Sequence, residues 1–348
     1  MKKNNFAIII AGGKGERLWP LSTSKSPKPF INIFGRTLIE RTYRRLSKYF
    51  FKENIYFIVP RGLKKKVKEF IPHANIITEP EGKNTAPACI YATHFIRRIN
   101  SEASLGIFPA DHVIEREKEF INSIKRGFEI AKKGFIITFG VKPSRPETGY
   151  GYVEIAEKID KGKPEVYRAR KFHEKPDLKL AVRYLKTGKY FWNSGMFIWN
   201  SGIFFEEIRK TRKELYALYE KTLLKKNAVN EFYKKVESNS IDYALLEYSK
   251  NIACCISEFL WEDLGSFLSF ENVFPKDKDG NVIKGKSFLF NSTGNIVLTD
   301  NRIVVAKDIK DLVIIDHGQF TLIIPKKRSQ EVKKILKKLK KTLPGKYF

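Results

Sequence analysis

Lys14, Arg17 and Lys28 stand in or shortly after the glycine turn Gly12-Gly13-Lys14-Gly15. Glycines let the backbone take positive φ and let a ligand approach the main chain closely. Successive N–H groups in such a turn form an anion-binding concavity. Three cations around that concavity are equipment for cradling a polyphosphate. The turn is not a dinucleotide fingerprint, because Leu18 stands where a third glycine belongs, and no Gly-Lys-Ser/Thr ending makes it a P-loop. A second chemical position is Asp111 in FPADHVI, a carboxylate where an apolar run ends. Alone it serves as a cap or turn residue. Beside a polyphosphate loop it suits a Mg²⁺ ligand facing a triphosphate.

The elements that must position these residues follow from periodicity. Phe6 to Ala11 has the length and β-branched content of a buried strand leading into the turn. Ile55–Val59, Asn75–Thr78, Leu105–Pro109 and Phe135–Phe139 read as four more short strands. Helical patterns over Thr37–Phe50, Lys64–Ile71, Asn84 or Thr85 to Ile99, and Glu117–Lys132 separate them, with Pro87 tolerated in a first turn. This alternation predicts an open, mostly parallel sheet with helices on both faces, and the fold class expected for the domain as a whole is a Rossmann-like open mixed α/β sheet. Ligands bind such sheets at the carboxyl ends of the strands, where Gly12, Glu79 and Asp111 fall. After Gly149 the period changes. Tyr150–Ile155 and Val166–His173 read as antiparallel strands, and helices are expected near Leu178–Lys186, Ile203–Tyr219, Asn227–Glu237 and Ile241–Ser249, before a strand at Ile252–Ile256. Past Phe274 come short β-like pieces, so residues 1–274 are expected to form a catalytic domain and 275–348 a small coiled β appendage. Residues 326–346 hold ten Lys/Arg against one Glu, with Val332, Ile335, Leu336, Leu339 and Leu343 on one helical stripe. That stripe is expected to pack on the β appendage. The alternative for a basic amphipathic helix is an anionic membrane surface.

The 348 residues, 42% hydrophobic and 30% charged, allow one large and one small domain. No apolar run approaches the roughly 18 residues of a membrane span, and MKKNN leads straight into the first strand with no signal peptide. Cys89 and the adjacent Cys254 and Cys255 fit neither a disulfide framework nor zinc spacing, as expected of buried thiols in a cytoplasmic protein. The net charge of +28 comes without a nucleic-acid motif and reads as a Lys-rich solvated surface that also attracts anionic small substrates. A literal P-loop pattern, Gly280-x4-Gly285-Lys286-Ser287, runs into the strand-like Phe288-Leu-Phe instead of a helix, so no phosphate site is expected there.

The whole string AGGKGERLWPLSTSKSPKPF, from Ala11, closely resembles the signature of the nucleotide-sugar nucleotidyltransferases, in the mannose-1-phosphate guanylyltransferase version. Pro29 stands where that family often has Gln. The resemblance covers roughly residues 6–325. It extends to Glu79-Pro80, Asn84-Thr85-Ala86-Pro87-Ala88, PADH at Asp111, PETGYGYVE around Gly149, FHEKP with Glu174 and Lys175, FWNSGMFIW with Asn193, and WEDLG with Asp263. SIDYALLE, residues 240–247, also matches, with Tyr248 replacing a usual Lys.

The resemblance implies that GTP and mannose 1-phosphate give GDP-mannose and pyrophosphate. It implies nucleotide contacts from Ala11 through Gly15 and from Glu79, Asn84, Thr85 and Pro87. Gly149, Glu174, Lys175 and Asn193 would meet the sugar phosphate, Asp111 and Asp263 would share Mg²⁺ or a similar divalent cation, and Arg17 and Lys28 would be catalytic. It also implies that the appendage is a left-handed β-helix used in a homodimer. Longer relatives add a cupin-type isomerase domain, for which this sequence has no counterpart, so no isomerase activity is expected. The rival expectations are a sister enzyme joining glucose 1-phosphate to dTTP or UTP, and a non-catalytic nucleic-acid-binding or regulatory relative.

Overall fold

The computed structural model describes residues 3–344. From the N-terminus the elements are β1 (Asn5–Ile10), α1 (Leu38–Leu46), β2 (Ile55–Pro60), α2 (Lys64–Phe70), β3 (Asn75–Glu79), α3 (Thr85–Ile99), β4 (Ser104–Pro109), β5 (Val113–Glu115), α4 (Glu117–Ala131) and β6 (Ile136–Val141). There follow β7 (Tyr152–Lys158), β8 (Val166–His173), α5 (Leu178–Thr187), β9 (Tyr190–Asn200), α6 (Ser201–Thr211), α7 (Lys213–Tyr219), α8 (Val229–Lys235), β10 (Ile252–Ile256) and β11 (Leu260–Glu262). The Cα trace divides into two compact units. One comprises the chain up to Gly12, Glu40–Ala110 and Ile114–Trp261; the other comprises Gly13–Ile39, Asp111–Val113 and the chain from Glu262 on.

The first unit is built on a nine-stranded mixed sheet in the order β3-β2-β1-β4-β9-β6-β10-β8-β7. β3, β2, β1 and β4 are mutually parallel. β9 enters antiparallel between β4 and β6. Because β2 lies on one side of β1 and β4 on the other, the strand order reverses beside β1, and a ligand crevice is expected at the carboxyl ends there. Alternation along β4 sends side chains to opposite faces. Leu105 and Ile107 enter the core shared with α3 and α6, while Phe108 meets Phe120 of α4 edge-on at 6.2 Å. Helices thus cover both faces, as the β-α alternation predicts.

Three local readings change. Tyr190–Asn200, which the sequence shows only as an apolar stretch around an amide, is the longest strand and lies mid-sheet. The helix expected over Ile203–Tyr219 is two, broken at Arg212 with φ −137° and ψ 66°. The helix expected over Ile241–Ser249 is a π-helical turn, Asp242–Leu246.

In the second unit the strands are β12 (Val282–Lys284), β13 (Ser287–Phe290), β14 (Ile296–Thr299), β15 (Val304–Lys307), β16 (Leu312–His317) and β17 (Phe320–Pro325). β12, β14 and β16 stack in parallel, and so do β13 and β15, which is the geometry of a coiled β-helix-like domain. Buried amides bond the coils to one another. The Asn281 Oδ1 accepts from the Asn295 backbone N–H at 2.8 Å, and the Asn295 Oδ1 accepts from the Leu312 N–H at 2.9 Å. Gly285 lies between two strands with its position for a Cβ only 2.0 Å from the Thr299 carbonyl oxygen, so the P-loop-like pattern is a packed turn.

The basic tail forms α9 (Val332–Thr342), and the end of the predicted segment, residues 345–346, lies outside the described residues. Val332 and Leu336 are buried with Leu18, Ile31, Phe267 and Ile296, while Ile335, Leu339 and Leu343 flank them. The stripe therefore packs into an apolar cluster that the segment around Leu18 shares with the appendage strands, so the expected contact with the appendage is only part of its packing. Leu336→Ala should destabilise the second unit by roughly 2–4 kcal/mol, measured by denaturant unfolding; an unchanged midpoint would contradict this packing.

Candidate active site

In the second unit the glycine turn, Lys28 and the two predicted metal aspartates converge. Gly15 takes φ +67°, and a Cβ there would lie 2.5 Å from that of Lys28, so only glycine lets the two segments meet this closely. The Lys28 ammonium ion is 2.8 Å from the Asp111 carboxylate and also donates to the Asp263 backbone carbonyl. Burial opposes its charge, but Asp111, Asp263 and Glu262 outweigh burial, and the Lys28 pKa is raised. For Asp111, burial is likewise outweighed by Lys28 and His112, so its pKa is lowered. Both partners are therefore charged at neutral pH. Asp263 is fixed by the Gly265 N–H, which donates to its Oδ1 at 2.7 Å. A cavity of about 300 Å³ opens beside this cluster, lined by Lys14, Gly15, Arg17, Lys28 and Asp263 among others. Among the described residues no three His, Cys, Asp or Glu side chains form a ready metal cage. Two hard oxygen donors nonetheless fit Mg²⁺, which commonly takes one or two carboxylates and completes its shell with phosphate oxygens and water.

The first unit holds the other predicted residues. Ala11 follows directly after β1, its N–H donating to the Ile58 carbonyl at 3.1 Å, and Gly12 comes next on the surface. Asn84 caps α3, its side chain accepting from the Thr85 N–H at 2.8 Å; Pro87 is buried in the first turn. The Thr85 hydroxyl accepts from the Ile241 N–H at 2.9 Å. Glu79 is only 4% exposed, and its carboxyl accepts from the Tyr233 hydroxyl at 2.8 Å. Burial pushes the Glu79 pKa up to about 7, against the lowering effect of that bond.

Glu174 and Lys175 pair with each other, and a Cβ at Gly151 would lie 2.6 Å from the Glu174 carboxylate, so that glycine makes its room. Gly149 is exposed, its N–H donating to Glu147 at 3.0 Å. Asn193 Oδ1 accepts from the Thr138 hydroxyl at 2.7 Å, and its Nδ2 donates to Asp242 at 2.9 Å. Asp242 and Tyr233 were not candidates from sequence. The SIDYALLE match was the available signal for Asp242, whose pKa burial and Glu174 push up to about 7.

The glycine turn, with Lys28, Asp111 and Asp263 converging beside it, is the arrangement expected of a protein that handles polyphosphates. Residues 6–280 match the Nucleotidyl transferase family and 285–339 the MannoseP isomerase/GMP-like beta-helix domain. The chain belongs to the nucleotidyl transferase family. It is 35% identical to mannose-1-phosphate guanylyltransferase 2 of Escherichia coli O157:H7, over 96% of this chain and 73% of that protein. It is 32% identical to mannose-1-phosphate guanylyltransferase of Klebsiella pneumoniae, over 98% of this chain and 75% of that one. The crystal structure of a mannose-1-phosphate geranyltransferase from Thermus thermophilus superposes with a TM-score of 0.91 at 30% identity, covering 97% of this chain and 99% of the other. Among the described residues no helix is long and apolar enough to cross a membrane.

The raised Glu79 pKa has a signed consequence. The folded state holds this proton more tightly than the unfolded chain, so the protonated group stabilises the fold below about pH 4.5, and the contribution is lost as pH rises through about 7. Relative to Glu79→Gln, the wild type should lose about 3 kcal/mol between pH 4.5 and 8, read by unfolding across that range. A constant difference between the two proteins would contradict the buried protonated carboxyl.

Proposed function

We propose that this protein transfers GMP from GTP to mannose 1-phosphate in the cytoplasm, releasing GDP-mannose and pyrophosphate. The observation that carries the reading is Lys28, buried beside the glycine turn with Asp111 and Asp263. The curated relatives, named for mannose-1-phosphate guanylyltransfer over nearly the whole of this chain, support the choice of substrates.

A phosphate monoester has a second pKa of about 6. The attacking oxygen of mannose 1-phosphate is thus already anionic at neutral pH, and no general base is needed. That oxygen bonds to the α-phosphorus while the bond to the bridging oxygen breaks, and pyrophosphate leaves. Catalysis is then positioning and charge stabilisation. The N–H groups of the turn from Gly12 to Gly15, with Lys14, hold the triphosphate. Arg17 and Lys28 offset charge on the α-phosphate oxygens and the leaving group. Ala11, Glu79, Asn84, Thr85 and Pro87 serve the nucleotide; Gly149, Glu174, Lys175 and Asn193 serve the sugar phosphate. Asp111 and Asp263 are the residues to hold Mg²⁺ or a similar ion, which when bound supplies charge neutralisation on the phosphates. Residues 1–274 form the catalytic part, and 275–348 a left-handed β-helical part used in a homodimer.

Pyrophosphate release measured across four nucleotides and several hexose 1-phosphates should be fastest for GTP with mannose 1-phosphate. Faster turnover of dTTP with glucose 1-phosphate would replace this reading with the sister enzyme. Asp111→Asn and Asp263→Asn should each lower kcat about 10²–10⁴-fold, or about 3–5 kcal/mol. The double variant should be scarcely worse than the poorer single one. Near-normal kcat in Asp263→Asn at saturating Mg²⁺ would show that this aspartate holds no metal.

A further inference from the structure

Among the residues that line the cavity beside the glycine turn is a cation that the phosphate reading does not use: Lys333, from the C-terminal helix α9. Its neighbour there is Glu16, the single acidic residue between Gly13 and Ile39. The Glu16 carboxylate lies 3.6 Å from the Lys333 ammonium and 3.7 Å from that of Lys340. α9 is fixed against the turn by packing, since Val332 and Leu336 share a buried cluster with Leu18. Lys333 thus stands on a helix anchored on both sides of its own position, and its amine lies beside Glu16, another residue lining the cavity. The Lys333 side chain is 66% exposed, and a pair of that length and exposure is weak and readily exchanged. A polyphosphate offers more charge and more acceptor oxygens than one carboxylate.

We propose that Lys333 is a further phosphate-binding cation of the nucleotide site, carried by the C-terminal helix, and that Glu16 holds it at the cavity until the phosphates displace it. The ligand class is the β- and γ-phosphates of a nucleoside triphosphate, or the pyrophosphate they become. The β-helix-like segment and its terminal helix are then part of the nucleotide site. The inference rests on the nucleotidyl-transfer reading.

The test uses the full chain in Mg²⁺ buffer, with GTP and inorganic pyrophosphate as separate probes in calorimetric titrations. Lys333→Ala should weaken both about tenfold, the size of one partly solvated charge-assisted contact. It should raise KM for GTP by a similar factor, change kcat less than about threefold, and leave the melting temperature unaltered. Lys338→Ala makes the same charge change on the same helix without lining the cavity, and should shift either affinity less than about twofold. Wild-type affinity for GTP and pyrophosphate in Lys333→Ala, or equal losses in the two variants, would overturn the proposal. Wild-type protein that binds no GTP and makes no GDP-mannose would instead overturn the reading beneath it.

Discussion

The Lys28 ammonium ion touches the Asp111 carboxylate and the Asp263 backbone, and so joins the three chain segments from which the second unit is assembled. Residues 13–39, 111–113 and 262 onward are far apart in sequence; an apolar cluster joins the first and last with Val113, and Lys28 adds a contact that reaches all three. A buried cation with a fixed carboxylate partner is directional. It also punishes error, because removing one partner of a buried pair leaves an uncompensated charge at a cost of about 3–5 kcal/mol. The raised Lys28 pKa and lowered Asp111 pKa both say that attraction here exceeds the cost of burial. The positive φ of Gly15 belongs to the same device, since any side chain there would push Lys28 out.

The first unit solves a different problem. Its polar groups at strand ends and helix starts are mostly tied down by hydrogen bonds rather than by opposite charges. Tyr233 holds Glu79, Asn84 caps α3, and Thr138 and Asp242 grip both ends of the Asn193 amide. Glu79 and Asp242, both pushed up to about 7, can hold protons that ordinary carboxylates release. Oriented amides and hydroxyls of this kind recognise uncharged ligand groups by hydrogen bonding, the use proposed for them above. A dense field of fixed charge suits phosphates, and that field lies in the second unit.

The βα alternation up to Phe139 was legible because helix and strand periods are local properties, and the strand ends named from it carry Gly12, Glu79 and Asp111 as expected. β9 was not legible as a strand. It is buried on both faces, so it has no alternation, and its Asn193 and Gly195 interrupt the apolar run. The appendage strands could be read from their spacing, whereas the Asn281–Asn295 ladder could not, because an asparagine bonded to the next coil looks like a turn residue. In the candidate site, the turn and Asp111 were visible from residue type, and Asp263 from a matched motif 152 positions away. The contacts of Lys28, and the reach of Tyr233 and Asp242 into the other residues, depend on packing between distant segments and carry no local sequence mark.

A double-mutant cycle on the Lys28–Asp111 pair tests most directly whether this contact organises the site. Unfolding free energies of the wild type, Lys28→Met, Asp111→Asn and the double variant would be measured without nucleotide, and the coupling energy extracted. A coupling of about 2 kcal/mol or more is expected, with the double variant more stable than the sum of the single losses requires. Additive losses, with a coupling below about 0.5 kcal/mol, would show that Lys28 and Asp111 are neighbours without mutual dependence and would contradict the claim that this contact organises the site.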